Sequence, residues 1–310
     1  MTQRLPRLFL LFVLCCAFSL SAFAPLAEAN SPEANTLVQA INVGEGVIYK
    51  GEAKFVDIYH PAFTQAELTW QGKKITYSRQ DNEDNPKWEA LLSLGLQSKA
   101  QTVPLNIRYS NGKQTQTVTL NFTVKEKDYP VQKLTVEPKY ASPPASVLER
   151  IKKDQKEIRD AFATISPVRH WALPLARPVE GITTSEYGLR REFNGQKRNP
   201  HRGLDLDGKL NDSILAVESG KVILVADHYY GGKTVVIDHG LGVLSAYLHM
   251  NSFLVSQGQD VVRGQEIGAV GKTGRVTGPH LHLSLSVLGQ SINPNPLLSP
   301  RKPQSAGHPQ

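Results

Sequence analysis

Two parts of the chain show the alternation of apolar and polar residues that is typical of half-buried β-strands. In the first part, residues 105–109 and 118–124 alternate on either side of the pair Asn111-Gly112. An Asn-Gly pair between two such runs predicts a β-hairpin. We therefore expect residues 30–128 to form an N-terminal β-sandwich module.

A helical period follows the strands, within an expected linker of residues 129–170. Its apolar positions recur at roughly helical spacing up to Pro167: Leu148, Ile151, Ile158, Phe162 and Ile165. This spacing predicts a linker helix over about residues 146–165. Ser146 and Glu149 match the S-x-x-E pattern of a capping box at its start.

From about residue 171 the strand pattern returns, with many glycine turns and no helical period. This pattern predicts an antiparallel β-barrel or sandwich over residues 171–300. Residues 301–310, rich in Pro, Ser and Gln, are expected to be a disordered tail. The predicted fold class is therefore mainly β: an N-terminal β-sandwich, a linker helix and a C-terminal antiparallel β domain.

The clearest single strand is residues 280–287, HLHLSLSV. Alternation places His280 and His282 on one polar face, opposite a row of apolar side chains. Two strand rises set the two histidines on the order of 6.6 Å apart along the backbone. On a helix they would point about 160° apart, and the apolar alternation favours the strand.

A second candidate pair lies in HRGLDLD, residues 201–207. If Leu204 and Leu206 face a core, His201 and Asp205 fall together on the opposite face. Nitrogen and carboxylate ligands suit zinc, and one of the tandem histidines would complete a set of three protein ligands. Such a set leaves the fourth tetrahedral position open for water, as catalytic zinc sites require.

A third segment, residues 244–249, ends in another histidine. By alternation, Leu244 and Leu248 take one face and Tyr247 and His249 take the other. We therefore expect His249 to join the other histidines on the polar face of the sheet.

The N-terminus has the features of an export signal. Arg4 and Arg7 precede an apolar run that ends in a small-x-small pattern at residues 27–29, which predicts a signal peptide of residues 1–29. A retained membrane anchor is the alternative. No other stretch is apolar enough for a membrane span. We expect an exported protein of the periplasm or cell envelope, without a membrane span after signal cleavage.

Charge and cysteine content narrow the chemistry. The formal net charge of +7 is mildly basic, which suits an anionic wall or membrane surface. The sequence has no arginine cluster interleaved with aromatic residues, so we expect no nucleic acid partner. The two cysteines, Cys15 and Cys16, lie in the expected leader, so the mature chain would have no disulfide and no cysteine nucleophile.

The segments HRGLDLD, AYLHM and GKTGRVTGPHLHLSL, in this order and with these separations, closely resemble the lysostaphin/LytM-type zinc metalloendopeptidases. These enzymes cut peptide bonds in bacterial peptidoglycan, and the resemblance covers residues 171–297. It implies one Zn²⁺ per chain, with three metal ligands and two catalytic residues that do not bind the metal. The implied ligands are His201, Asp205 and His282, and the implied catalytic residues are His249 and His280.

The resemblance implies a zinc metalloendopeptidase that hydrolyses peptidoglycan cross-links with a zinc-activated water and histidine acid/base assistance. The expected bond is D-alanyl to diaminopimelate, with a pentaglycine bridge as the alternative. The alternative function is a non-catalytic cell-wall-binding protein or an activator of a wall amidase. The presence of all three implied ligands and both implied catalytic histidines favours the enzyme.

Some parts of the resemblance leave alternatives open. Which of His249 and His280 is the base stays undecided, and Tyr229, Tyr230 and Tyr247 are all candidates for a tyrosine beside the oxyanion. The upstream residues are similar to the module that precedes this peptidase domain in some exported bacterial members. We expect residues 30–165 to restrict access to the groove, and recruitment of a cell-wall protein partner is the alternative.

Overall fold

The computed structural model describes residues 41–42, 46–59, 64–82 and 85–301. The expected signal peptide, the first residues of the expected N-terminal module and residues 302–310 of the expected tail lie outside the described residues. Within the described ranges, no helix is both long enough and apolar enough to span a membrane. The fold is mainly β, as the sequence predicts.

The N-terminal module consists of two sheets packed around a common core. Its strands among the described residues are β1 (Ile41–Asn42), β2 (Val47–Tyr49), β3 (Ala53–Tyr59), β4 (Gln65–Trp70), β5 (Lys73–Ile75), β6 (Ser78–Asn82), β7 (Asn85–Ser93), β8 (Thr102–Ser110) and β9 (Thr115–Lys125). One sheet has the order β1-β3-β7-β6 and the other has the order β2-β9-β8-β4-β5. Trp88 of the first sheet and Leu105 and Phe122 of the second are buried between them. The predicted hairpin is confirmed, since β8 and β9 pair in antiparallel around Asn111-Gly112.

The region after the sandwich is more than a linker. Strand β10 (Val131–Leu134) pairs in parallel with residues 190–193 of the C-terminal part, so this segment belongs to the sheet structure there. A short helix, Pro138–Ala141, and a 3₁₀ turn, Ala145–Val147, then lead into the linker helix, Leu148–Phe162.

The predicted capping box of the linker helix is wrong. Val147 occupies the N-cap position, and no side chain caps the helix by a hydrogen bond there. Ser146 lies instead within the 3₁₀ turn, and Glu149 forms an ion pair with Lys152 one turn further along. The 3₁₀ turn brings the chain into the helix in place of a capping side chain.

The C-terminal part is an antiparallel β domain, as predicted. Its strands are β11 (Thr183–Ser185), β12 (Arg190–Phe193), β13 (Gln196–Lys197), β14 (Leu204–Asp207), β15 (Ser213–Leu215), β16 (Gly220–His228), β17 (Gly232–Asp238), β18 (Val243–Met250), β19 (Ser252–Phe253), β20 (Asp260–Val261), β21 (Glu266–Ala269), β22 (His280–Val287) and β23 (Gln290–Ile292), followed by a 3₁₀ turn, Asn295–Leu297. The large sheet has the order β11-β14-β22-β18-β17-β16-β20, with β23 on β22. Smaller sheets have the orders β15-β21-β19 and β10-β12-β13, and a core that includes Leu206, Ile267 and Leu283 fills the space beneath the large sheet.

The linker helix covers part of the other face of the large sheet. Ile158 and Phe162 of the helix pack against a buried cluster that includes Leu244 and Ala246 of β18. The large sheet is therefore covered by apolar contacts on both faces in this region, with the linker helix on one side and the main core on the other.

The sandwich contacts the large sheet at the end of β22 that is far from His280. Ser93 Oγ donates a hydrogen bond to the Val287 carbonyl at 2.7 Å, and Arg169 forms an ion pair with Glu89. Seven strand rises separate His280 from Val287, roughly 23 Å along the strand. The linker segment, rather than these sandwich contacts, therefore lies closer to the tandem histidines.

Candidate functional site

The pairing of β14 with β22 builds the centre of the site. The register places Asp205 opposite His282 and Leu204 opposite Leu283. Leu204 and Leu283 are fully buried in the main core, so Asp205 and His282 project from the other face, as the alternation predicts. Gly203 makes room for them, because a Cβ atom there would lie 2.4 Å from His282 Nε2.

Three side-chain atoms converge at this point. His201 Nε2 lies 3.0 Å from Asp205 Oδ1 and 3.0 Å from His282 Nδ1. His282 Nδ1 lies 2.7 Å from Asp205 Oδ1. We call these atoms, from His201, Asp205 and His282, the acceptor triangle.

Hydrogen bonds on the far side of each imidazole decide which nitrogen carries the proton. His201 Nδ1 donates to the Glu186 carbonyl at 2.8 Å, which leaves Nε2 with a lone pair. The Ser284 hydroxyl donates to the Arg202 carbonyl at 3.1 Å, so its oxygen accepts from His282 Nε2 at 2.9 Å. His282 therefore turns the lone pair of Nδ1 toward the triangle.

The triangle fits a zinc ion. Burial lowers the pKa of His282 to about 4 against the influence of Asp205. An ionised carboxylate and two imidazole lone pairs repel one another at these distances unless a cation lies between them. Two nitrogens and one oxygen are ligands that zinc accepts.

Arg191 of β12 holds the second oxygen of the carboxylate. Its Nη2 donates to Asp205 Oδ2 at 2.8 Å and to Ser185 Oγ at 3.2 Å. This ion pair orients Asp205 so that Oδ1 faces the two histidines. Arg191 is not indicated by the sequence, because no periodic pattern links β12 to β14.

His280 and His249 lie beside the triangle. His280 Nδ1 donates to the Gly278 carbonyl at 2.9 Å, and its Nε2 lies 3.8 Å from Asp205 Oδ1. His249 Nδ1 donates to the Thr273 carbonyl at 2.9 Å. The two rings are 5.0 Å apart between centroids, and each neutral ring keeps Nε2 as a proton acceptor. Burial, followed by the neighbouring histidines, holds the pKa of His249 well below its ordinary value.

The predicted polar face of residues 244–249 is wrong for Tyr247, although His249 does reach the site. Tyr247 is fully buried in the main core, where its hydroxyl accepts from the Val217 amide at 2.8 Å. Alternation alone would send His249 to the same side as Tyr247. The backbone of His249 has φ +64°, and the pairing of β17 with β18 shifts register at this point. This β-bulge turns His249 toward His280 and His282.

A cavity of about 510 Å³ opens beside the triangle. The linker contributes three residues to its wall, Ala141, Pro143 and Gln155, and the C-terminal domain contributes four arginines, Arg191, Arg198, Arg202 and Arg275. Among the three candidate tyrosines, Tyr230 lines this cavity, whereas the Tyr229 hydroxyl donates to the Lys139 carbonyl. Asp207, two residues after Asp205 on the same strand, is exposed and lies opposite His280 outside the triangle.

The chain is similar to a peptidoglycan enzyme and to an activator of murein hydrolases. Residues 199–294 match the family model described as Peptidase family M23. Over 111 residues the chain is 45% identical to the peptidoglycan DD-endopeptidase ShyA of Vibrio cholerae serotype O1, covering 36% of this chain and 26% of that protein. Over 134 residues it is 30% identical to the murein hydrolase activator NlpD of Salmonella dublin, covering 43% of this chain and 32% of that protein.

A solved structure extends the likeness beyond this domain. The crystal structure of a putative peptidase M23 from Pseudomonas aeruginosa aligns with a TM-score of 0.59 at 28% identity, covering 81% of this chain and 94% of that chain. The chain spans roughly a quarter to a third of the length of the two curated relatives. These findings confirm the family resemblance that the sequence motifs predict.

Ser284 is expected to tune metal binding through His282. Ser284→Ala removes the acceptor of His282 Nε2–H, so the affinity of the full chain for zinc should fall roughly 10- to 100-fold. Competition with a chromophoric chelator measures this affinity. Ser291→Ala is the matched control, because Ser291 Oγ donates to the same Arg202 carbonyl at 3.0 Å. Equal zinc affinity of Ser284→Ala and the unaltered chain would contradict the proton assignment on His282.

Proposed function

We propose that this chain, which belongs to peptidase family M23 through residues 199–294, is a zinc-dependent endopeptidase that hydrolyses peptide cross-links of bacterial peptidoglycan. The convergence of His201, Asp205 and His282 beside two further histidines supports this proposal most strongly. The similarity to a peptidoglycan DD-endopeptidase supports the substrate class. A D-alanyl to diaminopimelate bond is accordingly the proposed target.

One zinc ion per chain would be held by His201, Asp205 and His282. Such an ion lowers the pKa of a water molecule to about 7 and polarises the scissile carbonyl. The protein's contribution is to present three deprotonated ligand atoms in one place. The carbonyl of Glu186 and the hydroxyl of Ser284 fix the proton of each imidazole on the side away from the metal.

His249 and His280 would carry out the proton transfers. Each ring is held by a hydrogen bond from Nδ1 to a backbone carbonyl, so Nε2 is the atom that can take up a proton. One Nε2 can accept the proton of the attacking water and deliver it to the leaving amine. A ring that has become protonated can also donate a hydrogen bond to the oxyanion.

The proposed location follows from the substrate. Peptidoglycan lies outside the cytoplasmic membrane, so the chain would be exported by residues 1–29 to the periplasm or cell envelope. The N-terminal sandwich would then be placed to contact a cell-wall protein partner.

An activator of a wall amidase is the second candidate function. It is favoured by the 30% identity to the murein hydrolase activator NlpD over 134 residues. An activator does not need two free histidines beside a metal-binding triangle. The presence of both His249 and His280 at these distances therefore favours the enzyme.

Replacement of the two tandem histidines tests the proposed roles. His282→Ala removes one of three ligands and should lower both zinc content and cleavage of a soluble cross-linked muropeptide. His280→Ala keeps the three ligands, so zinc content should stay near one per chain while cleavage falls roughly 100- to 10,000-fold. Metal analysis of both folded variants measures the difference. Zinc retained by His282→Ala and lost by His280→Ala would reverse the two roles.

We also propose that the linker helix restricts access to the cavity. Gln155 of the helix lines the cavity wall. Two acidic anchors are among the contacts that hold the helix on the sheet, beside a hydrogen bond from Arg150 to the Asp227 carbonyl. The Asp154 carboxylate accepts from the Tyr229 amide at 2.6 Å, and Glu157 Oε2 lies 3.1 Å from His228 Nε2. A chain truncated near residue 168 would lose β10 and expose the apolar face under the helix, so the full chain is the better object for a test.

Loosening the helix should therefore increase activity on small substrates. In the double variant Asp154→Ala and Glu157→Ala, both anchors are absent, and kcat/KM for a soluble cross-linked peptide should rise several-fold, on the order of 3- to 10-fold for a loss of about 1 kcal/mol of closing free energy. Steady-state kinetics with zinc-loaded protein measures this change.

The control removes two other acidic residues from the same helix. Glu149→Ala with Asp160→Ala has the same change of charge, but these side chains pair with Lys152 and Lys156 of the helix itself. The control should behave as the unaltered chain does. A slower anchor variant beside an unchanged control would mean that the helix assists catalysis instead of restricting access.

A further inference from the structure

The cavity beside the acceptor triangle contains an arginine that is held between two aromatic rings. The guanidinium carbon of Arg275 lies 4.5 Å from the ring centroid of Phe193 and 4.4 Å from that of Tyr230. The Arg275 amide donates to the Tyr230 carbonyl at 2.9 Å. Gly274 has φ +75°, and a Cβ atom there would lie 2.4 Å from the Gly232 amide nitrogen. The loop is therefore packed tightly, and the guanidinium plane has a fixed place.

Arg275 differs from Arg191 and Arg198 in that its guanidinium has no polar partner among the described residues. Within the part of the chain that the structure describes, no carboxylate forms an ion pair with it, and its side chain donates no hydrogen bond. Arg191, by contrast, pairs with Asp205, and Arg198 donates to the Gln196 side chain. The guanidinium donors of Arg275 are therefore available to a ligand.

The electrostatic environment of Arg275 also favours the binding of an anion. Burial, together with the nearby charges of Arg191 and Arg198, lowers the pKa of Arg275 to about 10, although Tyr230 opposes the shift. The side chain is still protonated at neutral pH. A partly buried cation among other cations is unfavourable without a counter-charge. An anionic group that enters the cavity would reduce this unfavourable charge interaction. A planar guanidinium favours a carboxylate, which it can bind through two parallel hydrogen bonds.

We propose that Arg275 binds a free carboxylate of the peptide substrate, on the residue that supplies the leaving amine. This inference rests on the proposed function, because it assigns the substrate to the same site. Arg275, His249 and His282 line one cavity. A substrate whose scissile carbonyl faces the triangle therefore lies in the same cavity as Arg275, and a carboxylate on its amine-side residue is the group that we assign to the guanidinium.

A carboxylate-binding Arg275 would distinguish cross-links by the charge of their amine-side residue. In a D-alanyl to diaminopimelate cross-link, the carbon that bears the scissile nitrogen also bears a free carboxylate. A glycine–glycine bond inside a bridge has no charged group at that place. Arg275 thus favours cross-links with an acidic amine-side residue and gives no advantage to an uncharged bridge.

Two synthetic cross-linked peptides test the proposal. They are identical except that the carboxyl group beside the scissile amide is free in one and amidated in the other. Binding is measured by isothermal titration with the full chain, freed of metal so that neither peptide is cut. The unaltered chain should bind the free-carboxylate peptide roughly 10- to 100-fold more tightly, the range expected for a charged hydrogen-bonded pair.

Variants in one loop separate Arg275 from general charge effects. Arg275→Gln should bind both peptides equally, with the amidated peptide bound as tightly as by the unaltered chain. Arg275→Lys should keep part of the preference. Lys272→Gln removes the same charge from an exposed position of the same loop and should keep the full preference. Thermal unfolding of each variant verifies the fold.

The measurements distinguish a failure of the Arg275 carboxylate site from a failure of the proposed endopeptidase activity. Equal binding of the two peptides by the unaltered chain, or a preference that survives in Arg275→Gln, would overturn the role of Arg275. Zinc-loaded protein is then incubated with both peptides. A clear binding preference without any cleavage would contradict the endopeptidase and leave the carboxylate site standing, whereas cleavage without preference would do the reverse.

Discussion

The register between β14 and β22 is the constraint on which the rest of the site depends. It sets Asp205 opposite His282 while Leu204 meets Leu283 in the core on the other face. Side chains alternate with a period of two, so a slip of one residue would turn the carboxylate into the core and a leucine into the cavity. Each buried leucine contributes about 1.5–3 kcal/mol through burial, and this apolar face holds the charged atoms of the other face together.

The same periodicity explains how much of the site could be predicted from the sequence. The alternation in residues 280–287 and 201–207 was sufficient to place Asp205 and His282 on one face. His249 could not be placed in this way, because a bulge with φ +64° reverses the alternation just before it. Arg191 could not be found at all, because it reaches Asp205 from β12, a strand without a clear pattern that is paired with β10 of the supposed linker.

The linker shows a related limit of sequence patterns. The apolar spacing predicts its helix, and it indicates that Ile158 and Phe162 pack against another element. The spacing does not indicate which element that is. In the structure these two residues pack on Leu244 and Ala246, on the face of β18 opposite the one that carries Tyr247 into the main core. A sheet with apolar residues on both faces must be covered on both, and the sequence pattern does not indicate which segment covers which face. The linker that covers the second face also forms part of the cavity wall.

The proposed role of the triangle of His201, Asp205 and His282 is to hold a zinc ion for hydrolysis of peptidoglycan cross-links. Digestion of purified sacculi by the full chain, with mass spectrometry of the released muropeptides, tests it most directly. Zinc-loaded protein should convert cross-linked dimers into monomers, exhaustive zinc removal should stop this conversion, and added zinc should restore it. Dimers left intact by zinc-loaded protein, or cleaved equally well after verified zinc removal, would contradict it.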